Sequence, residues 1–250
     1  GAAEEEHQVR APHRWEVTIA GVSAEGSGSR SDAAAVGVLC ALREELGVLA
    51  EAPGERRRHL GIEVRELELH GRRVLACVGG VGKVNAARAA SALVSLGATH
   101  ALLVVGVCGG LRRHLGPGTF VHCTQAVQTD VVRVEGRSSE SDRALREHWR
   151  AAAPGAEGWF LTADRPVLSW WRRARLARAF VGDCVADMET AAAAAVASAA
   201  GVPWAALRAV TDRADGLGLV SFKLHFPSQA GRAADTVPSL LARLGRGGLP

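Results

Sequence analysis

The sequence has 250 residues, 48% of them hydrophobic, and its 30 basic and 26 acidic residues give a formal net charge of +4 at pH 7. This length allows one large α/β domain or two small ones with a sizeable core, and the interspersed charges argue against nucleic acid as a partner. The five cysteines form no C-x-x-C pair and the nine histidines form no H-x-x-x-H grouping, so we expect a reduced, cytoplasmic protein without a metal or other cofactor.

Residues 1–34 are predicted to be a flexible tail or linker, because they lack hydrophobic periodicity and close with the Gly/Ser-rich stretch SAEGSGSRSDAA. The first ten residues, GAAEEEHQVR, are acidic and polar where a secretory signal would be basic and then apolar, so no signal peptide is expected. The folded domain is therefore placed at residues 35–250.

Apolar runs alternate with segments of helical spacing from residue 36 onward, which is the pattern of parallel-sheet units. In chain order we predict a strand at 36–41, a helix at 42–52, a hairpin at 61–80, a helix at 83–97, strands at 101–110, 119–129 and 158–164, a helix at 169–180, an alanine-rich helix at 185–201, a strand at 203–212 and a helix at 233–245. This order favours a three-layer α/β/α domain with a mixed, largely parallel central sheet. Its ligand site is expected at the carboxyl ends of the strands.

The glycine-rich stretch GGVGKVN, at residues 79–85, suggests a phosphate-binding loop. Such a loop needs a glycine five residues before Gly82 and a Ser or Thr after Lys83, and this sequence has neither. The glycines are therefore interpreted as a tight turn before a helix.

Arg-rich and apolar segments elsewhere suggest surface binding, but each has a simpler interpretation. In WWRRARLARAF the apolar residues recur at helical spacing between arginines, which is typical of a solvated amphipathic helix. The uncharged run at 190–207 is mostly alanine and is interrupted by a glycine and a proline, so it is predicted as a buried helix and a strand. We expect neither nucleic-acid nor membrane binding.

Three acidic residues follow apolar strands and should emerge at the same edge of the sheet. Glu45 comes shortly after the run at 36–41, Glu189 follows GDCVA, and Asp212 directly follows AALRAV. Each alone fits a cap or turn, but together they indicate a polar site in an apolar cleft. Such a set suits cleavage of a bond whose transition state places positive charge on a sugar, with one acid, one base and one carboxylate for ribose hydroxyls.

At these residues the sequence resembles the purine nucleoside phosphorylase/hydrolase superfamily, and within it the 5′-methylthioadenosine/S-adenosylhomocysteine nucleosidases. The likeness covers most of residues 36–244. It depends on the order and spacing of the segments VGVLCALREEL, GGVGKVNAARAA, VVGVCGGL, GWFLTAD, VADMETAA, VPWAALRAVTD and SFKLHF. The resemblance implies a nucleoside phosphorylase/hydrolase-like catalytic domain at residues 35–250, a small nucleoside as substrate and a homodimer.

The resemblance also implies roles for individual residues. Glu45 is similar to the base that takes a proton from the attacking water, and Arg208 to the arginine beside that water. Asp212 is similar to the acid at N7 of adenine. Glu189 would accept hydrogen bonds from the 2′- and 3′-hydroxyls of ribose while Met188 packs on the sugar.

Further substrate contacts are implied around the base and the sugar. Phe222 would pack on the base, and Val167 would lie on the strand whose backbone contacts the adenine edge. The remaining residues implied to bind substrate are Val107, Cys108, Gly109 and Thr211.

The sequence departs from the family pattern at three places. Val107 replaces a usual Ser or Thr, and Asp187 stands where a glutamate is usual. The segment VQTDVVRVEGRSS has no counterpart of the aromatic residue that relatives lend to the neighbouring subunit. The pocket for the 5′-substituent is therefore the least determined part of the site.

Hydrolysis of an adenine nucleoside is the favoured activity, and three alternatives remain open. A phosphorylase needs donors for phosphate, and the apolar Val104 and Val107 at the strand end argue against it. A futalosine-type hydrolase and a noncatalytic nucleoside-binding protein of the same fold are the other two, although retention of all three acids argues against the last.

Overall fold

The computed structural model describes residues 34–132, 137–216 and 218–245. The tail predicted at residues 1–34 lies outside these residues, apart from Ala34, and remains a prediction.

The described residues form ten strands and six α-helices. The strands are β1 (Val36–Cys40), β2 (Gly54–His59), β3 (Ile62–Leu69), β4 (Arg72–Val78), β5 (Ala101–Gly110), β6 (Phe120–Gln128), β7 (Ser138–Glu140), β8 (Ala156–Thr162), β9 (Asp183–Asp187) and β10 (Trp204–Asp212). The helices are α1 (Lys83–Ser95), α2 (Arg143–Ala152), α3 (Trp170–Ala179), α4 (Thr190–Ala199), α5 (Gly218–Gln229) and α6 (Val237–Arg243), with 3₁₀ segments at Arg43–Ala50 and Ala234–Thr236.

All ten strands belong to one mixed sheet, as predicted for the α/β class. Parallel pairings join β4, β1, β5 and β10 in that order, and also β6, β8 and β9. Antiparallel pairings join β10 to β6 and β5 to β9, so β5, β10, β6, β8 and β9 form a closed ring. The antiparallel β2–β3–β4 hairpins extend the sheet on one side. The closed ring brings the ends of β5, β9 and β10 together.

Alternate residues of the central strands face two separate cores. In β5, Leu102 and Val104 pack into a cluster with the alanines of α1 and α4, whereas Leu103 and Val105 pack with α2 and α6. This alternation follows from the two-residue period of a strand and produces the predicted three layers. The alanine-rich faces of α1 and α4 allow the two helices to pack closely on the sheet.

The prediction of one continuous helix at 42–52 is wrong. The segment consists of two short 3₁₀ turns that are separated by Gly47, which has φ 49° and ψ −134°. A Cβ atom at this position would lie 2.2 Å from Asp235 Oδ1 and 2.6 Å from the Gly231 carbonyl oxygen. Close packing against the carboxyl-terminal part of the chain therefore requires glycine here and breaks the helix.

The helix predicted at 185–201 begins only at Thr190, because residues 183–187 form β9. This short strand pairs with β8 and, through two residue pairs, with β5. Hydrogen bonds from distant strands thus override the local helical pattern. Four elements were not predicted from the sequence: β2, β7, α2 and α5.

The Arg-rich segments lie on the surface, as interpreted. Strand β2 is an exposed edge strand, and Arg57 forms an ion pair with Glu66 of β3 at 3.0 Å. Helix α3 buries none of its residues. Within the described part of the chain, no helix is both long enough and apolar enough to cross a bilayer.

Candidate active site

A cavity of about 260 Å³ opens at the carboxyl ends of β1, β5, β8, β9 and β10. Every residue predicted for the site lines this cavity: Glu45, Val107, Cys108, Gly109, Val167, Met188, Glu189, Arg208, Thr211, Asp212 and Phe222. The topology therefore brings together side chains that are up to 177 residues apart in the sequence, from 45 to 222. Their individual roles remain predictions.

Glu45 is held by backbone amides on the floor of the cavity. Its Oε2 accepts hydrogen bonds from the N–H groups of Ala41 and Leu42, both at 2.9 Å, and its Oε1 accepts one from Val107 at 3.0 Å. The side chain is only 1% exposed. Burial raises the pKa of Glu45, and the opposing effect of Arg208 does not cancel it. Glu45 is thus a stronger base than an exposed glutamate.

Gly106 of β5 makes room for this carboxylate. An added Cβ atom would lie 2.5 Å from Glu45 Oε1 and 3.0 Å from Arg208 Nη1. The residue also has φ 147°, a conformation that side chains rarely adopt. Glycine is therefore required where β5 passes the two charged groups.

Replacing Gly106 by Ala should lower the free energy of unfolding by about 1–3 kcal/mol, because the new methyl group overpacks the site and strains the backbone. It should also lower turnover by moving Glu45. Denaturant unfolding and kinetics measure the two effects. The control is Gly216→Ala, where the added Cβ meets nothing within 4 Å; equal stability of the two variants would contradict the prediction.

Arg208 links the charged residues of the site from the middle of β10. Its Nη2 lies 3.0 Å from Asp187 Oδ2 and 3.1 Å from Glu189 Oε2, and its Nη1 donates to the Val107 carbonyl at 2.9 Å. Burial alone would lower the pKa of Arg208, but Asp187, Glu189 and Glu45 outweigh it and raise that pKa. The guanidinium is therefore a permanent cation that is shared by two buried carboxylates.

Glu189 occupies the N-cap position of α4 and reaches across the cavity to the start of α1. Its Oε1 accepts a hydrogen bond from the Gly82 N–H at 3.0 Å, and its Oε2 accepts one from Arg208. Burial raises the pKa of Glu189, Arg208 lowers it and Asp187 raises it, with a net increase. The glycine-rich turn at 79–82 thus contributes a backbone amide to the site, although it is not a phosphate loop.

Asp212 ends β10 and lines the cavity. Its Oδ1 accepts a hydrogen bond from the Ala214 N–H at 2.7 Å, and its Oδ2 lies 2.9 Å from the Thr211 hydroxyl. Burial raises the pKa of Asp212 above its usual value, against the lowering effects of these two hydrogen bonds. Gly109 gives it space, since a Cβ there would lie 3.1 Å from Asp212 Oδ1.

Part of the cavity wall is apolar. Phe222 stacks on Phe226 with ring centroids 4.9 Å apart, and Leu168 and Leu219 border the cavity beside it. Val167 lies in the loop between β8 and α3, since β8 ends at Thr162; its placement on a strand was wrong. Such walls favour the flat or apolar parts of a ligand.

Val104, which was used with Val107 to argue against a phosphate site, does not line the cavity. It is fully buried in the core cluster that faces α1 and α4. Val107 does line the cavity, but its contacts to Glu45 and Arg208 are made by its backbone. Of Val104 and Val107, only Val107 therefore bears on whether the cavity could hold a phosphate.

Sequence reasoning missed four polar contributors. Asp187 was noted only as a departure, and Thr162 and Thr190, which hydrogen-bond to it, were not considered. The Gly82 N–H was missed because backbone donors leave no side-chain signal. The one sequence signal for Asp187 and its two threonines is Thr162, a polar residue at the end of an apolar strand, because a polar group that is buried there needs a hydrogen-bond partner. The described residues include no group of three or more His, Cys, Asp or Glu arranged to hold a metal ion.

The family of the chain follows from comparison with known proteins. The model of the phosphorylase superfamily matches residues 35–244. The chain therefore belongs to the phosphorylase superfamily. Its fold and the position of its cavity at the strand ends agree with this assignment.

Individual relatives are similar over nearly their whole length. The 5′-methylthioadenosine/S-adenosylhomocysteine nucleosidase of Actinobacillus succinogenes is 27% identical over 227 residues, which are 84% of this chain and 99% of the relative. The structure of the nucleosidase of the same name from Neisseria meningitidis, in complex with methylthio-immucillin-A, has a TM-score of 0.75 and 26% identity and covers 84% and 97% of the two chains. The futalosine hydrolase of Helicobacter pylori has a TM-score of 0.76, 23% identity and coverage of 84% and 97%.

Proposed function

We propose that this chain is an adenine nucleosidase that hydrolyses the N-glycosidic bond of a 5′-thio-substituted adenosine, of the methylthioadenosine and S-adenosylhomocysteine type. The observation that carries the proposal is the convergence of Glu45, Glu189 and Asp212 on one cavity with apolar walls. The names of the similar nucleosidases from Actinobacillus succinogenes and Neisseria meningitidis support the same substrate class.

The proposed chemistry divides the charges of the transition state between two ends of the cavity. Breaking the bond leaves a cationic, oxocarbenium-like ribosyl group and an anionic purine. Asp212, whose pKa is raised by burial, would protonate N7 of the leaving purine. Glu45, whose pKa is also raised by burial, would take a proton from the attacking water. Glu189 would accept hydrogen bonds from the ribose hydroxyls.

The Thr211 hydroxyl can serve both protonation states of Asp212. It lies 2.9 Å from Asp212 Oδ2 and 3.3 Å from the Cys108 carbonyl oxygen. It can donate to the carbonyl while Asp212 is protonated, and to the carboxylate after the proton has gone to the purine. This arrangement stabilises the product state of the general acid.

Water is favoured over phosphate as the nucleophile. Among the described residues that line the cavity, the cationic side chains are Arg165 and Arg208. Arg208 is already paired with two carboxylates, and Glu45 next to it would repel a phosphate dianion. A water molecule needs no free cation and is not repelled by Glu45.

Release of free base from defined nucleosides tests the proposal. We expect adenine from methylthioadenosine and S-adenosylhomocysteine without added phosphate, and slower release of hypoxanthine from inosine. A sugar 1-phosphate as a product, 5-methylthioribose 1-phosphate from methylthioadenosine or ribose 1-phosphate from inosine, seen only with phosphate, would convert the assignment to a phosphorylase. Preferential cleavage of futalosine would point to the hydrolase of that name. If the protein binds nucleosides but releases no base from any of them, it is a noncatalytic nucleoside-binding protein.

We further propose that the protein acts as a cytoplasmic homodimer in methionine salvage. Three apolar side chains at the cavity, Val81, Leu168 and Leu219, are 44%, 48% and 55% exposed, and a second subunit would cover them. All five cysteines are buried free thiols, in keeping with a reducing compartment. Light scattering of the purified chain measures the mass of the assembly.

A further inference from the structure

Asp187 is a buried carboxylate of the site to which the proposed chemistry gives no role. It ends β9, and its side chain is fully buried. Its Oδ2 lies 3.0 Å from Arg208 Nη2, and it also accepts hydrogen bonds from the Thr190 N–H, at 3.0 Å, and from the Thr190 hydroxyl. Its Oδ1 accepts a hydrogen bond from the Thr162 hydroxyl. Protein donors therefore hold both of its oxygens.

The Thr162 and Thr190 hydroxyls can only donate to Asp187, because their oxygens already have hydrogen-bond donors of their own. The Thr162 oxygen accepts the Ala191 N–H at 3.0 Å. The Thr190 oxygen lies 3.2 Å from Arg208 Nε and 3.1 Å from Arg208 Nη2. Each hydroxyl hydrogen must then point to Asp187. The group is a fully satisfied polar network that ties β8, β9, α4 and β10 together.

Glu189 is held differently. It shares Nη2 of Arg208 with Asp187, at 3.1 Å against 3.0 Å, and its other partner is the Gly82 N–H. When ribose binds, the carboxylate of Glu189 must accept the sugar hydroxyls, and a turn of this carboxylate toward the sugar would draw Oε2 away from Arg208. A buried arginine that lost its only carboxylate would be strongly destabilised, so the exchange requires a second counter-ion.

We propose that Asp187 is a positioning residue that keeps Arg208 paired while Glu189 exchanges the arginine for the ribose hydroxyls. The inference deepens the proposed function and depends on it for the identity of the ribose ligand. Asp187 touches no substrate in this arrangement and acts through Arg208 and Glu189. Glu45, Glu189 and Asp187 together also outnumber Arg208, so the region favours a positive charge on the sugar.

The test compares a ribonucleoside with its 2′-deoxy analogue in the variant Asp187→Asn. Without the second counter-ion, Arg208 should hold Glu189, and the contribution of the 2′-hydroxyl should shrink. We expect the preference for methylthioadenosine over its 2′-deoxy analogue, measured as the ratio of kcat/KM, to narrow by about tenfold. KM for methylthioadenosine should rise. A merely structural role would lower both activities and leave the ratio unchanged.

Two further pairs of variants keep the test decisive if Asp187→Asn folds poorly. Thr162→Val removes a hydroxyl that holds Asp187, and Thr162→Ser retains it, so only the first should narrow the ratio. Asp187→Glu retains the counter-charge and should recover the preference that Asn loses. Asp183→Asn, at the other end of β9 where Asp183 pairs with His114 at 2.8 Å, is the matched control.

Binding measurements separate this inference from the proposed function. Calorimetric affinities for adenosine and 2′-deoxyadenosine report the contribution of the hydroxyl even without turnover. A wild-type protein that prefers adenosine but releases no adenine refutes the nucleosidase assignment alone. A folded Asp187→Asn or Thr162→Val variant with the wild-type preference refutes the role of Asp187 alone.

Discussion

Replacing Asp212 by Asn should reduce adenine release by about 10²–10⁴-fold, because the amide preserves the shape of the side chain but cannot protonate the purine. Burial raises the pKa of Asp212, so the protonated form persists to a higher pH than for an exposed aspartate. Wild-type kcat should therefore decline as the pH rises through this raised pKa. The variant should lack that decline. The measurement is a pH series of adenine release.

The fold should tolerate this substitution, which separates chemistry from structure. Asn can still accept the Ala214 N–H through its amide oxygen, as Asp212 does at 2.7 Å. The substrate KM should change less than kcat, because the proton is needed mainly in the transition state. Asp183→Asn serves as the control of the same chemistry outside the cavity. Turnover within threefold of the wild type would exclude Asp212 as the acid.

Replacing Glu45 by Gln should have an effect of similar size on turnover, about 10²–10⁴-fold, through loss of the base. It should also lower the free energy of unfolding at pH 7 by about 1–3 kcal/mol, because the amide NH₂ would oppose one of the three backbone N–H groups that Glu45 accepts. Glu44→Gln, an exposed neighbour, is the matched control. Kinetics and denaturant unfolding of both variants measure the two effects.

The pH dependence of stability distinguishes Glu45 further. Its pKa in the folded state is raised above the usual value of 4.5, so the folded protein binds this proton more tightly than the unfolded chain does. The contribution of Glu45 to stability is thus full below about pH 4.5 and is lost as the pH rises through the raised pKa. Glu45→Gln should flatten this part of the stability profile. If the slope of the free energy of unfolding against pH is the same in the variant, the pKa of Glu45 is not raised in the folded state.

Much of the site could be predicted because its residues follow apolar strands. Glu45 comes after β1 and Asp212 ends β10, and both strands run parallel to β5 between them, so their carboxyl ends lie at one edge of the sheet. Apolar runs can be recognised in the sequence without knowing which strands pair with each other. The order of the family-like segments added the roles of Glu189 and Met188, which no periodicity could supply.

Several failures of prediction involve partners that are distant in sequence. The strand at GDCVA is confirmed, but pairing with β8 and β5 extends it to Asp187, so the helix predicted at 185–201 begins only at Thr190. Gly47 interrupts a helical pattern because Asp235 and Gly231 pack against it. The Arg-rich β2 becomes a strand because β3 offers a complementary edge. In each case a nonlocal hydrogen bond or contact outweighs local propensity.

The sequence by itself determined the α/β class, the two faces of the core and the acidic residues at the strand ends, because these depend on short-range periodicity and residue type. Only the tertiary structure decided how the charges are shared. Arg208 bridges Asp187 and Glu189, Gly82 donates its amide, and Gly106 leaves space for Glu45. The physical reason is that a buried charge is stable only with specific partners, and closure of the sheet into a ring selects those partners from distant parts of the chain.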